Sequence, residues 1–313
     1  MLNKTKIGFY RAFGLNIISE IALPELSRFA ERKVFFDTKI SIGDLEKEWS
    51  LTGALINQFY IKENIIMFQI PEVAIFSIKN GKQIIVSPLS SFNEDEARLY
   101  ILGTCMGAIL LQRRILPLHG SAIVIDGKVY GFIGDSGAGK STIASAFIHK
   151  GYSLLTDDVI AVTLSKHGIP VVTPSYPQQK LWQESLNQFG MDHQQFRPLV
   201  ERETKYAVPV PSNFLHKSYP LAGVFEIVKT NHDEIEILPI QGVKRLETLY
   251  YHTYRNFMIA PAGLTEWHFH SLVQIVNKIN LFQLNRPNSY FTAHELPDLV
   301  LQMIKKSKEE TVV

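Results

Sequence analysis

Apolar residues fall into short β-like runs up to about residue 92, then into longer runs punctuated by glycine turns. Ile65-Ile66-Met67-Phe68 and Lys33-Val34-Phe35-Phe36 have the β-branched and aromatic content of strands. Asn80-Gly81, between the apolar runs 74–78 and 84–86, predicts a two-residue hairpin with a type I′ turn. No residue pattern in this part points to catalysis; a substrate-docking platform and a purely structural cap fit it equally. Asn93, with Glu96 three positions on, has the form of a capping box and predicts a helix start. Apolar residues then run from Leu99 to Leu116, and Pro117 is the expected stop. A helix apolar nearly all round is expected to be buried between two domains. The predicted division is therefore a β-rich region 1–92 and a second domain 93–313.

The second part alternates strand and helix signals. Residues 121–125 and 128–133 flank Asp126-Gly127, another two-residue I′ turn. That turn pairs Ile125 with Lys128, and counting back sets His119 opposite Gly134. A helix is predicted over 140–150, with Gly151 as its C-cap. Residues 152–155 read as a strand ending in Thr156-Asp157-Asp158. A right-handed strand–helix–strand crossover lays its two strands parallel, which brings Asp157 and Asp158 to the edge where residue 134 ends the earlier strand. A hairpin is predicted over 159–164 and 169–173. The proline-rich stretch 174–211 reads as irregular, apart from a short helix over 182–189. Strands are expected at 221–228 and 235–240. The segment 265–306 reads as mostly helical, with a break at Asn285-Arg286-Pro287, and 303–313 as a fraying charged tail.

The chemistry centres on Gly134-Asp135-Ser136-Gly137-Ala138-Gly139-Lys140-Ser141-Thr142, which fits G-x-x-x-x-G-K-[ST]. Glycines let the backbone wrap so that its N–H groups face phosphate oxygens, and the following helix adds its positive end. Lys140 has the reach for the β- and γ-phosphates of ATP, and the Ser141 hydroxyl can hold Mg²⁺. One of the two aspartates can orient the metal while the other faces an acceptor. Adjacent aspartates alone are usually a solvated turn, and a histidine before a strand is usually structural; position is what makes Asp157, Asp158 and His119 candidates. Lys180, Arg197, Arg202 and Lys205 are cations that could stabilise transferred charge, although any one of them is more often a surface charge. His268 and His270, two apart, do not share a helical face and are not read as a metal site.

Of the 313 residues, 46% are hydrophobic and 20% charged, the composition of a globular chain. The 32 basic and 30 acidic residues give +2, which argues against a nucleic-acid-coating surface. The one cysteine, Cys105, excludes an intrachain disulfide and a cysteine zinc site, and its apolar neighbours suggest a buried thiol. The run 101–111 is too short to cross a membrane. Residues 1–20 lack a secretory signal pattern, and the expected location is cytoplasmic.

Three segments together, Leu118-His119-Gly120-Ser121-Ala122, the loop from Gly134 to Ser141, and Leu154-Leu155-Thr156-Asp157-Asp158-Val159, resemble the C-terminal catalytic domain of HPr kinase/phosphorylase. The resemblance covers roughly residues 115–165. It implies an α/β P-loop nucleotide-binding fold of the HPr kinase/phosphoenolpyruvate carboxykinase type with a mixed sheet, preceded here by the smaller β-rich region. It also implies phosphoryl transfer to a hydroxyl and a homo-oligomer. The region before residue 93 is unlike that family's usual N-terminal domain, and the signature after its catalytic aspartates has no clear counterpart. The layout is more similar to HPr-kinase-like lasso-peptide precursor kinases, on Tyr10-Arg11-Ala12-Phe13-Gly14-Leu15, Ser19-Glu20-Ile21-Ala22-Leu23-Pro24-Glu25-Leu26, Tyr176-Pro177 and Lys180-Leu181-Trp182. By that resemblance the acceptor is a serine at the C-terminal end of a precursor peptide. Asp157 is then the base, Asp158 and Ser141 hold the metal, His119 orients the cluster, and the two aspartates are exchangeable in role. A nucleotide-hydrolysing switch and a kinase of free serine are the alternatives. The guanine-reading N-K-x-D motif of switches is not matched by Asn277-Lys278-Ile279-Asn280.

Overall fold

A computed structural model describes residues 7–29, 35–199 and 202–310. The first part builds one eight-stranded sheet from β1 (Gly8–Ala12), β2 (Leu15–Ser19), β3 (Ser27–Arg28), β4 (Thr38–Ile42), β5 (Phe59–Lys62), β6 (Ile65–Ile70), β7 (Ala74–Lys79) and β8 (Gln83–Pro88), with helix α1 (Glu46–Thr52) after β4. The spatial order is β3-β1-β2-β4-β8-β7-β6-β5. Period-two alternation sorts its side chains: Met67 and Ile75 face Leu45 and Trp49, while Ile66, Phe68, Phe76 and Ile78 face the main core. Asn80 and Gly81 do take φ of 57° and 61°. The loop nevertheless has three residues rather than the expected two, because Lys79 pairs with Gln83. The Lys82 carbonyl is drawn off to accept the Lys39 N–H of β4. Of the expected strand at 33–36, Lys33 and Val34 lie outside the described residues, and Phe35 and Phe36 are not in a strand.

Asn93 caps α2 (Glu94–Tyr100), accepting the N–H groups of Asp95 and Glu96 at 2.8 and 3.2 Å. The helix continues through a π-turn (Ile101–Cys105) into α3 (Met106–Gln112), and 101–111 is buried throughout. It ends before Pro117, contrary to the sequence expectation. Ile115 N–H donates to Leu110 and Arg114 N–H to Leu111, with Arg114 at φ 57°, so a Schellman-type ending closes the helix first. Pro117 lies inside the next strand. One apolar cluster joins the first sheet, α2–α3, and Val159, Ala161, Tyr176, Met258 and Ile259 across residue 93.

The remainder runs β9 (Leu116–Ile125), β10 (Lys128–Gly134), α4 (Lys140–His149), β11 (Ser153–Thr156), β12 (Val159–Leu164), β13 (Pro170–Thr173), β14 (Gln178–Trp182), α5 (Gln183–Gln188), β15 (Arg197–Leu199), β16 (Arg202–Pro209), β17 (Tyr219–Thr230), β18 (Glu236–Pro239), α6 (Lys244–Tyr251), α7 (Thr265–Val276), β19 (Asn280–Pro287) and α8 (Leu296–Glu310). The second sheet is mixed. β10, β17 and β19 are parallel neighbours, β9 and β18 run against them, and β11 pairs with β9. β12 pairs with the start of β9, β13 with β12 and with the start of β17. Phe132, Phe225, Phe282 and Leu284 pack under α4 and α8 on one face; Ile133, Val224 and Leu281 pack with Leu249, Leu272 and Ile275 of α6 and α7 in the other cluster.

Three expectations are corrected here. The described residues of 174–211 form an antiparallel sheet β14-β16-β15 beside α5. Its period was masked because polar Gln179 points inward alongside Leu181, and Pro198 and Pro209 fall on an edge strand and a strand end. The break at 285–287 is the end of β19, a strand held between β17 and β18. The tail from 303 is helix α8 as far as Glu310; 311–313 lie outside the described residues. No described helix is long and apolar enough to cross a membrane.

Candidate active site

The β9–β10 hairpin sets the site's geometry. Asp126 and Gly127 take φ of 50° and 71°, and pairing from Ile125↔Lys128 holds register to Gly120↔Ile133. His119 therefore stands level with Gly134, where β10 gives way to the loop. Gly134 has φ 150°, and a Cβ there would lie 2.7 Å from the Ile227 carbonyl oxygen, so only glycine lets β10 end this close to β17. Gly137 and Gly139 have φ of 81° and 109°. Lys140 arcs back over the loop, its Nζ donating to the carbonyls of Gly134 and Asp135, both at 2.9 Å. Burial pulls its ammonium below the ordinary value, with Asp158 and Asp157 opposing. Arg286 of β19 braces the loop from outside, Nε donating to the Ala138 carbonyl at 2.8 Å. Thr142 turns toward α5, sharing a 2.9 Å hydrogen bond with Ser185.

β10 and β11 both run antiparallel to β9, which lies between them, so their C-terminal ends meet at one edge. The two aspartates arrive there and part company, because Asp158 takes φ 71°. Asp157 turns inward: Oδ1 accepts from Ser121 Oγ at 2.5 Å and Oδ2 from the Lys180 N–H at 2.8 Å. It is 3% exposed. Asp158 turns into the cavity, where Lys180 Nζ donates to its Oδ2 at 2.6 Å. His119 Nδ1 lies 3.8 Å from its Oδ1. Burial would raise the Asp158 carboxyl, but the Lys180 ammonium, then His119, outweighs it and holds the group far below the carboxylate range. Lys180 is the mirror case: burial opposes its charge, and Asp158 more than restores it, raising the ammonium. His119 Nδ1 is 3.1 Å from the Asp158 carbonyl, an acceptor only, so Nδ1 carries hydrogen and donates. Burial lowers the imidazole below its ordinary value.

A cavity of about 570 Å³ collects these groups. The loop from Gly134 to Thr142, except Ala138, lines one side with His119, Ser121, Asp158 and Lys180. Leu99, Tyr100, Gly103 and Thr104 of the α2–π segment and Tyr254 and Arg255 line it as well. Of the four cations weighed from sequence, Lys180 and Lys205 line the cavity, Lys205 Nζ standing 5.3 Å from the Trp182 ring centre. Arg197 instead pairs with Glu25 at 2.9 Å and Asp95 at 3.1 Å. The side chain of Arg202 lies outside the described residues.

Several site residues carried no sequence signal of their own. Ser121 shares a strand face with His119 through the period of two, the one clue available. Glu226 accepts from His252 Nε2 at 2.9 Å, and the His252 carbonyl accepts the His119 N–H at 2.8 Å, so this pair props the histidine strand. Tyr254 and Arg255 reach the cavity only through tertiary folding. Among the described residues no group of three or more His, Cys, Asp or Glu could hold a metal. His268 is buried, shares a 2.9 Å hydrogen bond with Thr253 Oγ1, and burial pushes its imidazole down to about 4.

No family model matches the chain. No curated protein matches it. Among solved structures the chain is similar to the Hpr(Ser) kinase/phosphatase from Coxiella burnetii, at 14% identity over 63% of this chain and 99% of that one, with a TM-score of 0.35. So slight a likeness carries no argument about activity; the chemistry of the site has to.

Proposed function

We propose that this protein is an ATP- and Mg²⁺-dependent kinase that phosphorylates a serine hydroxyl of a peptide, the C-terminal serine of a lasso-peptide precursor being the acceptor implied by the sequence resemblance. The observation that carries the reading is that the Lys140 loop and the Asp158–Lys180–His119 cluster open into one cavity. The residues fit the groups required. Positive φ at the loop's three glycines, 150°, 81° and 109°, permits the tight wrap that a triphosphate cradle needs. Lys140 and Ser141 supply the lysine and hydroxyl expected around a magnesium nucleotide, and Asp158 lines the same cavity. Bound Mg-ATP would supply the phosphoryl group and the divalent charge that neutralises it.

The chain's own residues do the rest. Lys140 leaves the loop carbonyls for phosphate oxygens. Lys180 holds Asp158 ionised and occupies its Oδ2, which leaves Oδ1 as the oxygen to accept a hydrogen bond from the serine hydroxyl and then its proton. So acidic a carboxyl is a poor early base, but a loose phosphoryl-transfer transition state needs orientation first and proton removal late. Asp157, spent on Ser121 and the Lys180 N–H, fixes the backbone beneath, and the base role passes to Asp158. His119 holds the Asp158 carbonyl and with it the left-handed turn. We assign residues 1–92 to docking or support of the domain 93–313. The test offers γ-labelled ATP with a serine-terminated peptide, with free serine, or with no acceptor. Label on the peptide is expected; label on free serine alone, or phosphate release with every acceptor ignored, would replace the reading with one of its two rivals.

A further inference from the structure

The wall of the cavity away from the phosphate loop carries a cation that the mechanism does not use. Arg255 takes φ 55°, a backbone state rare for a residue with a side chain and concentrated at functional sites. Its Nη2 donates to Thr104 Oγ1 at 2.9 Å, and its Nε is buried with no hydrogen-bond partner. It pairs with no carboxylate among the described residues. Thr104 sits in the π-turn, an irregularity often found at functional sites. The neighbouring glycines make room for the ring beside the arginine: a Cβ on Gly107 would come within 2.7 Å of Tyr254 Cδ1, and one on Gly103 within 3.1 Å of the Tyr254 hydroxyl.

Tyr254 ties this arginine to the reacting end. Its ring centre lies 5.5 Å from the Arg255 guanidinium carbon and 5.5 Å from the His119 ring centre. His119 in turn touches Asp158. With one Nη2 hydrogen turned to Thr104, the guanidinium keeps one of its two forks, Nε with Nη2 or Nη1 with Nη2, for the oxygens of a carboxylate. In a serine with a free α-carboxylate, three bonds of about 1.5 Å separate the hydroxyl oxygen from the carboxyl carbon. A hydroxyl on Asp158 Oδ1 and a carboxylate on Arg255 would lie in the one cavity that both residues line.

We propose that Arg255, oriented by Thr104, binds the α-carboxylate of the acceptor serine, so that the enzyme selects a serine at a chain end over one inside a chain. This rests on the kinase reading for the hydroxyl's place, but its test reads binding as well as transfer. Dye-labelled peptides ending in serine as the free acid, as the amide, or extended by one alanine are titrated against the full chain by fluorescence anisotropy, with free serine and serinamide as competitors. The acid binds tighter than amide or extension by about ten- to a hundredfold. Arg255→Gln removes the gap and Arg255→Lys, the milder change, narrows it, each variant first shown to melt as the native chain does. Competition by free serine as strong as that by the peptide assigns the site to the amino acid's carboxylate instead of the peptide's. Equal binding of acid and amide, binding of neither, or an Arg255→Gln variant that weakens nucleotide binding while keeping the gap overturns the assignment. If the gap stands and vanishes in Arg255→Gln while no phosphate moves, the kinase reading fails and the carboxylate site survives.

Discussion

Replacing Lys180 with methionine keeps an unbranched side chain one atom shorter and removes its charge. The ammonium is 2.6 Å from Asp158 Oδ2, with side chains 13% and 20% exposed. At an effective dielectric near 20, Coulomb's law gives about 6 kcal/mol at that separation. Desolvating both groups and their residual contact with water cut the net coupling to about 2–4 kcal/mol. The sign with pH follows from each partner. The folded Asp158 carboxyl lies below its unfolded value of about 3.9, so its share of stability is present above that pH and lost as pH falls through the folded value. The folded Lys180 ammonium lies above its unfolded value of about 10.4, so its share is present below that pH and lost as pH rises through the folded value. The coupling is thus level from about pH 5 to about pH 9 and shrinks on either side. Urea unfolding of the native chain, Lys180→Met, Asp158→Asn and the double variant, at neutral and acid pH, measures it as a cycle. In Lys180→Met, burial no longer has the lysine against it, and the acid limb of activity moves up in pH. A coupling below about 0.5 kcal/mol at pH 7, or one that grows on acidification, would refute the assignment of this pair.

Three further outcomes are expected. Gly134→Ala forces a Cβ to within 2.7 Å of the Ile227 carbonyl at φ 150°, costing about 2–4 kcal/mol of stability, and weakens binding of a fluorescent ATP analogue. Unaltered melting of that variant would mean β10 and β17 are not so close. Asp157→Ala strands the Ser121 hydroxyl and the Lys180 N–H in a buried place, so urea unfolding reports a loss of about 2–4 kcal/mol. Cys105 is fully buried, and burial raises its thiol well above the ordinary value; a maleimide labels it in urea and leaves the native chain unmodified, with stoichiometric native labelling as the contrary result.

What could be read from the chain was local. Asp126-Gly127 fixed a register, and the register put His119 level with Gly134; Asn93 announced a helix; the glycines announced the loop. The crossover placed two aspartates on the right edge. Which of them faces the cavity depends on φ 71° at Asp158, and no residue type there demands it. Pro117 looked like the helix stop because a Schellman turn on Arg114, closing four residues earlier, lacks the usual glycine. The sheet β14–β16 hid behind its prolines and an inward Gln179 that donates to the Ser141 carbonyl at 3.1 Å. Lys180 and the neighbours Tyr254 and Arg255 come from two distant segments; their meeting is a property of the fold, and the sequence marks only Lys180, as one cation among four.

In the proposed kinase Asp158 is the carboxylate that faces the acceptor. Steady-state transfer from ATP to a serine-terminated peptide by Asp158→Asn, alongside nucleotide affinity measured separately, decides it. The expected result is kcat lower by about a thousandfold, of the order that loss of a positioned acid–base group produces, with the nucleotide still bound. Transfer at the native rate by Asp158→Asn would contradict it.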